Sequence, residues 1–500
     1  MAGKIFLIFI LSFIFCASNF SQEINKDTTA KYAYNTIPEF WSQMDDIFND
    51  PNFSNAEWGV VIQSLVTGEY FYKRNEDKLF MPASNLKLFT TAAGLVILGS
   101  DYRFKSNVYL NGSIDGNILK GDLVIQGRGD PTISGRFYGG DMFKVYNDWA
   151  DSLLDKGIDE ISGNIIGDDN AFDEIGLGTG WRWDYESEWF AAPSSAISFN
   201  DNCVDLVVTV NKKTHLPQIE VTPDTKYTII MNKILTVSKD SVTSINAYRE
   251  SGTNVITVFG TIRDDSDSVK TYVTVNNPTQ FAMVVLKNVL RQKGIVIDGY
   301  PIDINDMTTP LDYSKMTKLF TQYSPPLKEI VKVINKNSQN LFAEQLLKTI
   351  GLETSGFGSV AKGINAENNV FKEMGINPES MNIVDGSGLS RLDLVTPRQI
   401  VAVLSYMYKS KYFIPFFNSL PIAGVDGSMG DRLQNTKAQG NIRAKTGFLE
   451  GVRSLSGYAF TGDNEPIAFS IICNNFDVPV KLAENIQDLV CLRLANFKRK

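Results

Sequence analysis

The chain has 500 residues, with 48 basic and 56 acidic side chains and a net charge of −8. That length predicts two or three domains, each able to bury its own core. The acidic balance argues against a general nucleic-acid binder, which needs a basic face to displace counterions from phosphates. The longest basic run, Lys498-Arg499-Lys500, reads as a solvated tail.

Lys4 followed by the apolar run Ile5 to Phe15 reads as a secretory signal, too short for a permanent span. Small residues at Ala17, Ser18 and Ser21 place the expected cleavage near 18–21, so residues 1–21 are read as a signal peptide. The mature protein is then expected in the periplasm or cell envelope. Phe13-Ile14-Phe15 is too bulky for Cys16 to serve as a lipidation site. No later stretch of about 20 apolar residues occurs, so no integral membrane span is expected.

Trp58 to Leu65 and Tyr70 to Lys73 flank Val66-Thr67-Gly68-Glu69 and read as a β-hairpin. Asn85 to Leu98 is apolar nearly all round and follows Pro82, which predicts a buried helix. From Arg103 to Asn305 the texture is β-rich. Expected strands are Ser106 to Leu110, ending at an Asn111-Gly112 turn, then Asp122 to Gln126, Ile161 to Ile166, Val204 to Val210 and Asn254 to Ile262. Helices are expected at Met142 to Leu154 and Thr279 to Gln292. A nested subdomain is expected near 205–270, and Arg128-Gly129-Asp130 reads as a turn.

Helices resume at Pro326 to Asn335, Leu341 to Ile350, Gly363 to Met374 and Thr396 to Tyr408. A meander follows over Asn441 to Glu450, Ser454 to Phe460 and Pro466 to Cys473, then a helix from Pro479 to Asn496. A hairpin at the start and a meander at the end imply one antiparallel sheet fed from both ends of the chain. The expected organisation is therefore α+β: a discontinuous catalytic domain, 22–102 and 306–500, interrupted by a module at 103–305.

Past the signal, Cys203, Cys473 and Cys491 form no Cys-x-x-Cys pair, so no structural zinc and no metal site is expected. A bridge between Cys473 and Cys491 stays open. The single histidine, His215, lies in Lys212-Lys213-Thr214-His215-Leu216 and reads as a surface residue. Ser-His-Asp, Cys-His and His-metal chemistry would all hang on it, so any nucleophile here needs another base. Lysine is the main alternative.

Three patterns stand in order: Ser84-Asn85-Leu86-Lys87, Ser338-Gln339-Asn340 and Lys445-Thr446-Gly447. Ser84 and Lys87, at i and i+3, share a helix face. Ser84 lies near a helix N-terminus, which favours developing negative charge. A lysine on an apolar helix loses solvation, which lowers its pKa toward a neutral amine able to take the serine proton. Each pattern alone is weak. In order, each on its expected element, they form a specific set.

The set resembles the penicillin-recognising serine enzymes, and within them the class C low-molecular-mass penicillin-binding proteins, a D-alanyl-D-alanine carboxypeptidase/endopeptidase family. Supporting stretches are Ser324-Pro325-Pro326-Leu327, Asn335-Lys336-Asn337-Ser338, Asn340 to Leu347, Asp385-Gly386-Ser387-Gly388-Leu389-Ser390 and Ala423-Gly424-Val425-Asp426-Gly427. Gly129-Asp130-Pro131-Thr132 and Phe199-Asn200-Asp201-Asn202 add to the likeness, as does the long insertion between Lys87 and Ser338.

The resemblance implies a penicillin-binding fold and the following roles. Ser84 is the nucleophile and Lys87 the base. Ser338 relays a proton to the leaving amine with Lys445. Asn340 binds the substrate amide and steadies Lys87. Lys445 and Thr446 receive a carboxylate, and Gly447 keeps the strand edge bare for substrate. The N–H groups of Ser84 and Phe448 form the oxyanion hole. No cofactor is implied. Peptidoglycan stem peptides are the implied substrate and β-lactams the implied covalent inhibitors. Asp385, Asp426, Arg391 and Arg453 read as caps or ion pairs. The rival readings are a β-lactamase of the same fold, for which no deacylating glutamate loop is found, and a catalytically retired peptidoglycan-binding protein.

Overall fold

A computed structural model describes residues 36–499; the expected signal peptide lies outside the described residues. The central sheet is five-stranded and antiparallel. Its order is Arg443–Leu449, Val452–Phe460, Pro466–Asn474, Glu57–Ser64, Tyr70–Arg74. The N-terminal hairpin thus closes against the C-terminal meander, with Glu57 opposite Asn474 and Ser64 opposite Ile467.

Both faces of this sheet are covered, so its strands read as near-continuous apolar runs. Val60, Ile62, Phe469 and Ile471 point to one side. There they meet the helices Ile37–Phe48 and Val480–Asn496. The first of these opens with a Thr36/Glu39 capping box. Val61, Ala468 and Ile472 point to the other side. That side carries the helices Lys87–Leu98, Leu327–Lys336, Asn340–Ser355, Val360–Glu373 and Pro397–Lys409. Alternation of neighbours between two cores is the period-2 rule of a strand buried on both faces. Each fully buried Val, Ile or Phe contributes about 1.5–3 kcal/mol.

The module has its own core, in which Trp149, Phe199, Phe281 and Leu286 are buried. Its larger sheet runs Val296–Ile297, Glu160–Ile161, Ile118–Gly127, Lys105–Asp115, Thr317–Tyr323, with Ile165–Asp168 and Pro301–Asp303 alongside. Helices Lys144–Asp155 and Pro278–Gln292 pack on it. Two three-stranded sheets occupy Cys203–Thr274. Thr317–Tyr323 pairs with Lys105–Asp115, so the module's sheet runs past the 305 boundary read from the sequence.

Several local expectations are corrected. Asn111-Gly112 is not a turn: the strand continues to Asp115, and Gly112 sits opposite Gly121. A Cβ on Gly112 would lie 2.2 Å from the Lys120 carbonyl oxygen, so this glycine serves close strand approach. The Ile161–Ile166 strand is interrupted at Ser162–Asn164, where Ser162 Oγ donates to Leu119 O and Asn164 N–H to Asp122. Cys203, Cys473 and Cys491 are buried free thiols, which closes the question of a Cys473–Cys491 bridge. A helix at Phe413–Ser419 carried no sequence signal strong enough to read. Asp130 of the Arg-Gly-Asp turn is buried and accepts from Thr132. No helix among the described residues is long and apolar enough to cross a membrane.

Candidate active site

Ser84 lies on a 3-10 turn, Ala83–Leu86, and Lys87 opens the α-helix that follows. The nucleophile candidate therefore precedes the α-helix that the sequence placed around it. Ala83 is held at φ +49°, a conformation a non-glycine residue rarely adopts. Three contacts over-determine it. Ser454 Oγ donates to Pro82 O at 2.6 Å, Asn85 Nδ2 donates to Lys445 O at 2.9 Å, and Asn474 pairs with both backbone groups of Met81. The serine turn is thereby pinned to three strands of the sheet.

Lys87 is fully buried. Its Nζ lies 3.0 Å from Ser84 Oγ, 2.5 Å from Asn340 Oδ1 and 2.7 Å from the Ser387 carbonyl oxygen. Burial lowers its pKa to about 7, against the opposing pull of Asp385, Glu344 and Asp393. At neutral pH a large fraction of this amine is unprotonated and in hydrogen-bond contact with a hydroxyl, as general-base chemistry needs. Asn340 starts its helix and is oriented from the far side, where its Nδ2 donates to Phe190 O of the module at 2.7 Å. That contact leaves Oδ1 aimed at Lys87.

On the opposite side, Lys445 Nζ donates to Ser338 Oγ at 2.9 Å and Thr446 O at 2.8 Å. Burial, with Lys87 and Arg453 nearby, pushes the Lys445 pKa well down. Ser338 sits at φ +56°, a second strained non-glycine residue at the site. Thr446 Oγ1 pairs with Ser428 Oγ at 2.6 Å. Phe448 is exposed, its ring 5.6 Å from the Arg453 guanidinium.

The strand Arg443–Leu449 ends the sheet. Its Ala444 N–H donates outward to Pro421 O at 3.0 Å. Strand alternation turns the Thr446 and Phe448 N–H groups to that same edge. An extended peptide laid there would pair with the strand and bring a carbonyl toward Ser84.

Gly447 also seats the serine turn. A Cβ on it would lie 2.1 Å from Ser454 Oγ, 2.8 Å from Pro82 O and 3.0 Å from Ser84 N. The glycine lets the serine turn approach the strand. Gly447→Ala is expected to displace that turn, cutting penicillin acylation at least tenfold and costing about 1–3 kcal/mol. Stopped-flow acylation and a thermal melt read both effects. Wild-type acylation in the variant would show that the turn does not need this contact.

His215 is exposed and pairs with Asp264, remote in sequence from all three motifs. Asp385 is fully buried; its carboxylate accepts N–H groups from Ser387, Gly388 and Ser390 and the Trp181 indole. Asp426 pairs with Lys336 and accepts from Ile422 N, Arg391 donates to Glu450 O, and Arg453 pairs with Glu484. Sequence reading missed Ser428, the Ser387 and Phe190 carbonyls, and Glu344. Carbonyls carry no side-chain signal. Glu344, four residues after Asn340 in an otherwise apolar stretch, was readable as an acid facing inward.

Residues 41–496 match the D-Ala-D-Ala carboxypeptidase 3 (S13) family. The D-alanyl-D-alanine carboxypeptidase of Actinomadura sp. (strain R39) is 31% identical over 472 residues, covering 92% of this chain and 85% of that protein. The D-alanyl-D-alanine carboxypeptidase DacB of Haemophilus influenzae is 26% identical over 430 residues, covering 85% of this chain and 86% of that one. Among solved structures, penicillin binding protein 4 (dacB) from Haemophilus influenzae superposes with a TM-score of 0.77 at 24% identity, over 90% of this chain and 97% of its own. That protein has also been solved in complex with a β-lactam.

A serine enzyme of the class C low-molecular-mass penicillin-binding group is what this fold and these relatives define. The chain belongs to the D-Ala-D-Ala carboxypeptidase 3 (S13) family.

Proposed function

We propose that the chain hydrolyses D-alanyl-D-alanine in peptidoglycan stem peptides through an acyl-enzyme on Ser84. The observation that carries this reading is the Ser84–Lys87 contact of 3.0 Å on a buried amine whose pKa is lowered to about 7. Ser84 Oγ attacks the penultimate D-alanine carbonyl while Lys87 Nζ takes its proton. The N–H groups of Ser84 and Phe448 hold the oxyanion. Ser338, held by Lys445, relays the proton taken up by Lys87 to the leaving amine, which returns Lys87 to its neutral form. D-Alanine departs, leaving an ester on Ser84. Water then attacks that ester, the again neutral Lys87 accepts its proton and returns it to Ser84 Oγ as the acid departs. Lys445 and Thr446 hold the terminal carboxylate.

The same attack on the carbonyl of D-alanine at stem position four releases free D-alanine or, from a cross-link, the side-chain amine of a neighbouring stem. Both leaving groups carry a carboxylate near the scissile bond when the neighbour is diaminopimelate. The chain is therefore read as both carboxypeptidase and endopeptidase. Chromatography of digested peptidoglycan is expected to show loss of pentapeptides and of cross-linked dimers. Dimers left intact would restrict it to carboxypeptidase action. Dimers cleaved with pentapeptides intact would make it an endopeptidase only, cleavage of neither would favour the retired peptidoglycan-binding reading, and fast turnover of penicillin the β-lactamase reading.

The organisation proposed is a catalytic domain from both ends of the chain around a module that begins near 103. The strand Thr317–Tyr323 supports ending that module beyond 305. Export by the N-terminal segment to the periplasm or cell envelope is proposed with it, because the substrate lies outside the cytoplasm.

A further inference from the structure

Four carboxyl groups that the reaction does not use stand behind Lys87. Glu344 is one helical turn beyond Asn340 and almost fully buried. Both its oxygens accept the Gly386 N–H, at 3.1 and 3.0 Å. The next residue, Ser387, presents the carbonyl that holds Lys87 Nζ at 2.7 Å. Two of the three acceptors on the amine, Asn340 Oδ1 and Ser387 O, are thus set by elements that Glu344 ties together.

We propose that Glu344 is a positioning residue for the general base: it fixes the Gly386–Ser387 backbone against the Lys87 amine and shares that amine's proton balance through its buried carboxyl. The inference rests on Lys87 acting as the base. Burial and the nearby Asp385 raise the Glu344 carboxyl to about 7, where Lys87 also titrates. Each group is among the charges that shift the other, so a change of charge on Glu344 moves the Lys87 titration and with it the acid limb of acylation.

The other charged groups facing the pair are accounted for. On the helix Val360–Glu373, Glu367 is buried, with Oε1 lacking a partner and its pKa raised to about 8 by burial and by Glu344. In the loop before Thr396, Asp385 accepts four N–H groups. In the same loop, burial and Asp385 raise the pKa of Asp393. Across the site stands Lys445, and one turn along from Glu344 stands Lys348, paired with Asp173.

The test is Glu344→Gln, which keeps an oxygen acceptor for Gly386 and removes the charge. The second-order rate of acylation by benzylpenicillin is measured across the pH range. With one fewer negative charge facing the ammonium, Lys87 deprotonates more easily. The acid limb is expected to move to lower pH by about half a unit or more. A variant slower by one factor at every pH, its limb unmoved, would overturn the proposal, because that is how a purely structural residue behaves. Should the variant not fold, difference infrared spectroscopy of Glu367→Gln, which removes the neighbouring glutamate band, decides. A buried carboxyl is still expected to deprotonate over the pH range in which acylation rises, and a limb without that carboxyl change would overturn the proposal. Absence of any wild-type acylation would refute the functional reading instead, and the infrared titration would still report on Glu344.

Discussion

Ser84→Ala is expected to abolish D-alanine release, with a loss of about 10⁴-fold or more, because Ser84 is the hydroxyl that Lys87 Nζ contacts and carries the acyl chain in the proposed reaction. Intact-mass spectrometry of wild-type protein after penicillin treatment is expected to show one adduct, on the peptide holding Ser84. The variant shows none. Its thermal midpoint stays near wild type. Ser84 Oγ is bonded only to Lys87 among the side chains around it, and Lys87 keeps Asn340 and Ser387 O as partners. A lost hydrogen bond of this kind costs about 0.5–1.5 kcal/mol. Retained turnover, or an adduct elsewhere, would refute Ser84 as nucleophile.

Lys87→Met separates catalysis from stability in the opposite sense. Acylation is expected to fall about 10²–10⁴-fold, the usual contribution of a general base. Burial lowers the Lys87 pKa to about 7 from the ordinary lysine value of 10.5. Between those values the unfolded chain binds a proton that the folded chain does not. Unfolding free energy contributed by this residue therefore rises with pH across that window, by about 1.4 kcal/mol per unit. Below the folded pKa both states are protonated and the full cost of burying the amine is felt. The wild type is expected to gain stability from pH 7 toward pH 10 more steeply than Lys87→Met. Denaturant unfolding at several pH values reads the difference in slope. Parallel curves would mean that Lys87 is charged in the folded protein. Lys445 is lowered in the same direction mainly by burial, and that part of its contribution is present in both proteins.

Much of this protein was legible in one dimension. The Trp58–Leu65 hairpin, the last three strands and the helices from 327 onward, Phe413–Ser419 excepted, follow from period-2 and period-3.6 patterns over long, well-bounded segments, where local pattern and tertiary burial agree. The reading weakened where glycine carried two meanings. Gly112 read as a turn and is instead a strand residue pressed against its neighbour. Gly447 read as an open edge and is also the seat of the serine turn, which the sequence did not show.

By itself, the sequence determined the α+β class and the kind of chemistry available. Serine and lysine stand at helical spacing, and a second serine–asparagine pair and a lysine–threonine–glycine strand follow in order. A lone histidine, His215, in a stretch that reads as surface, pointed to a base other than imidazole. Those are statements about residue types and spacings, which a chain carries whether folded or not. Only the tertiary structure decided how acidic the Lys87 ammonium becomes. That depends on the removal of water from around it and on Asp385, Glu344 and Asp393, carboxyls from distant segments. Only the fold, likewise, brought Asn340 Oδ1 and the Ser387 carbonyl onto one amine and pinned Ala83 in a strained turn. Desolvation and strain belong to the packed state, since both exist only once groups far apart in sequence exclude solvent together.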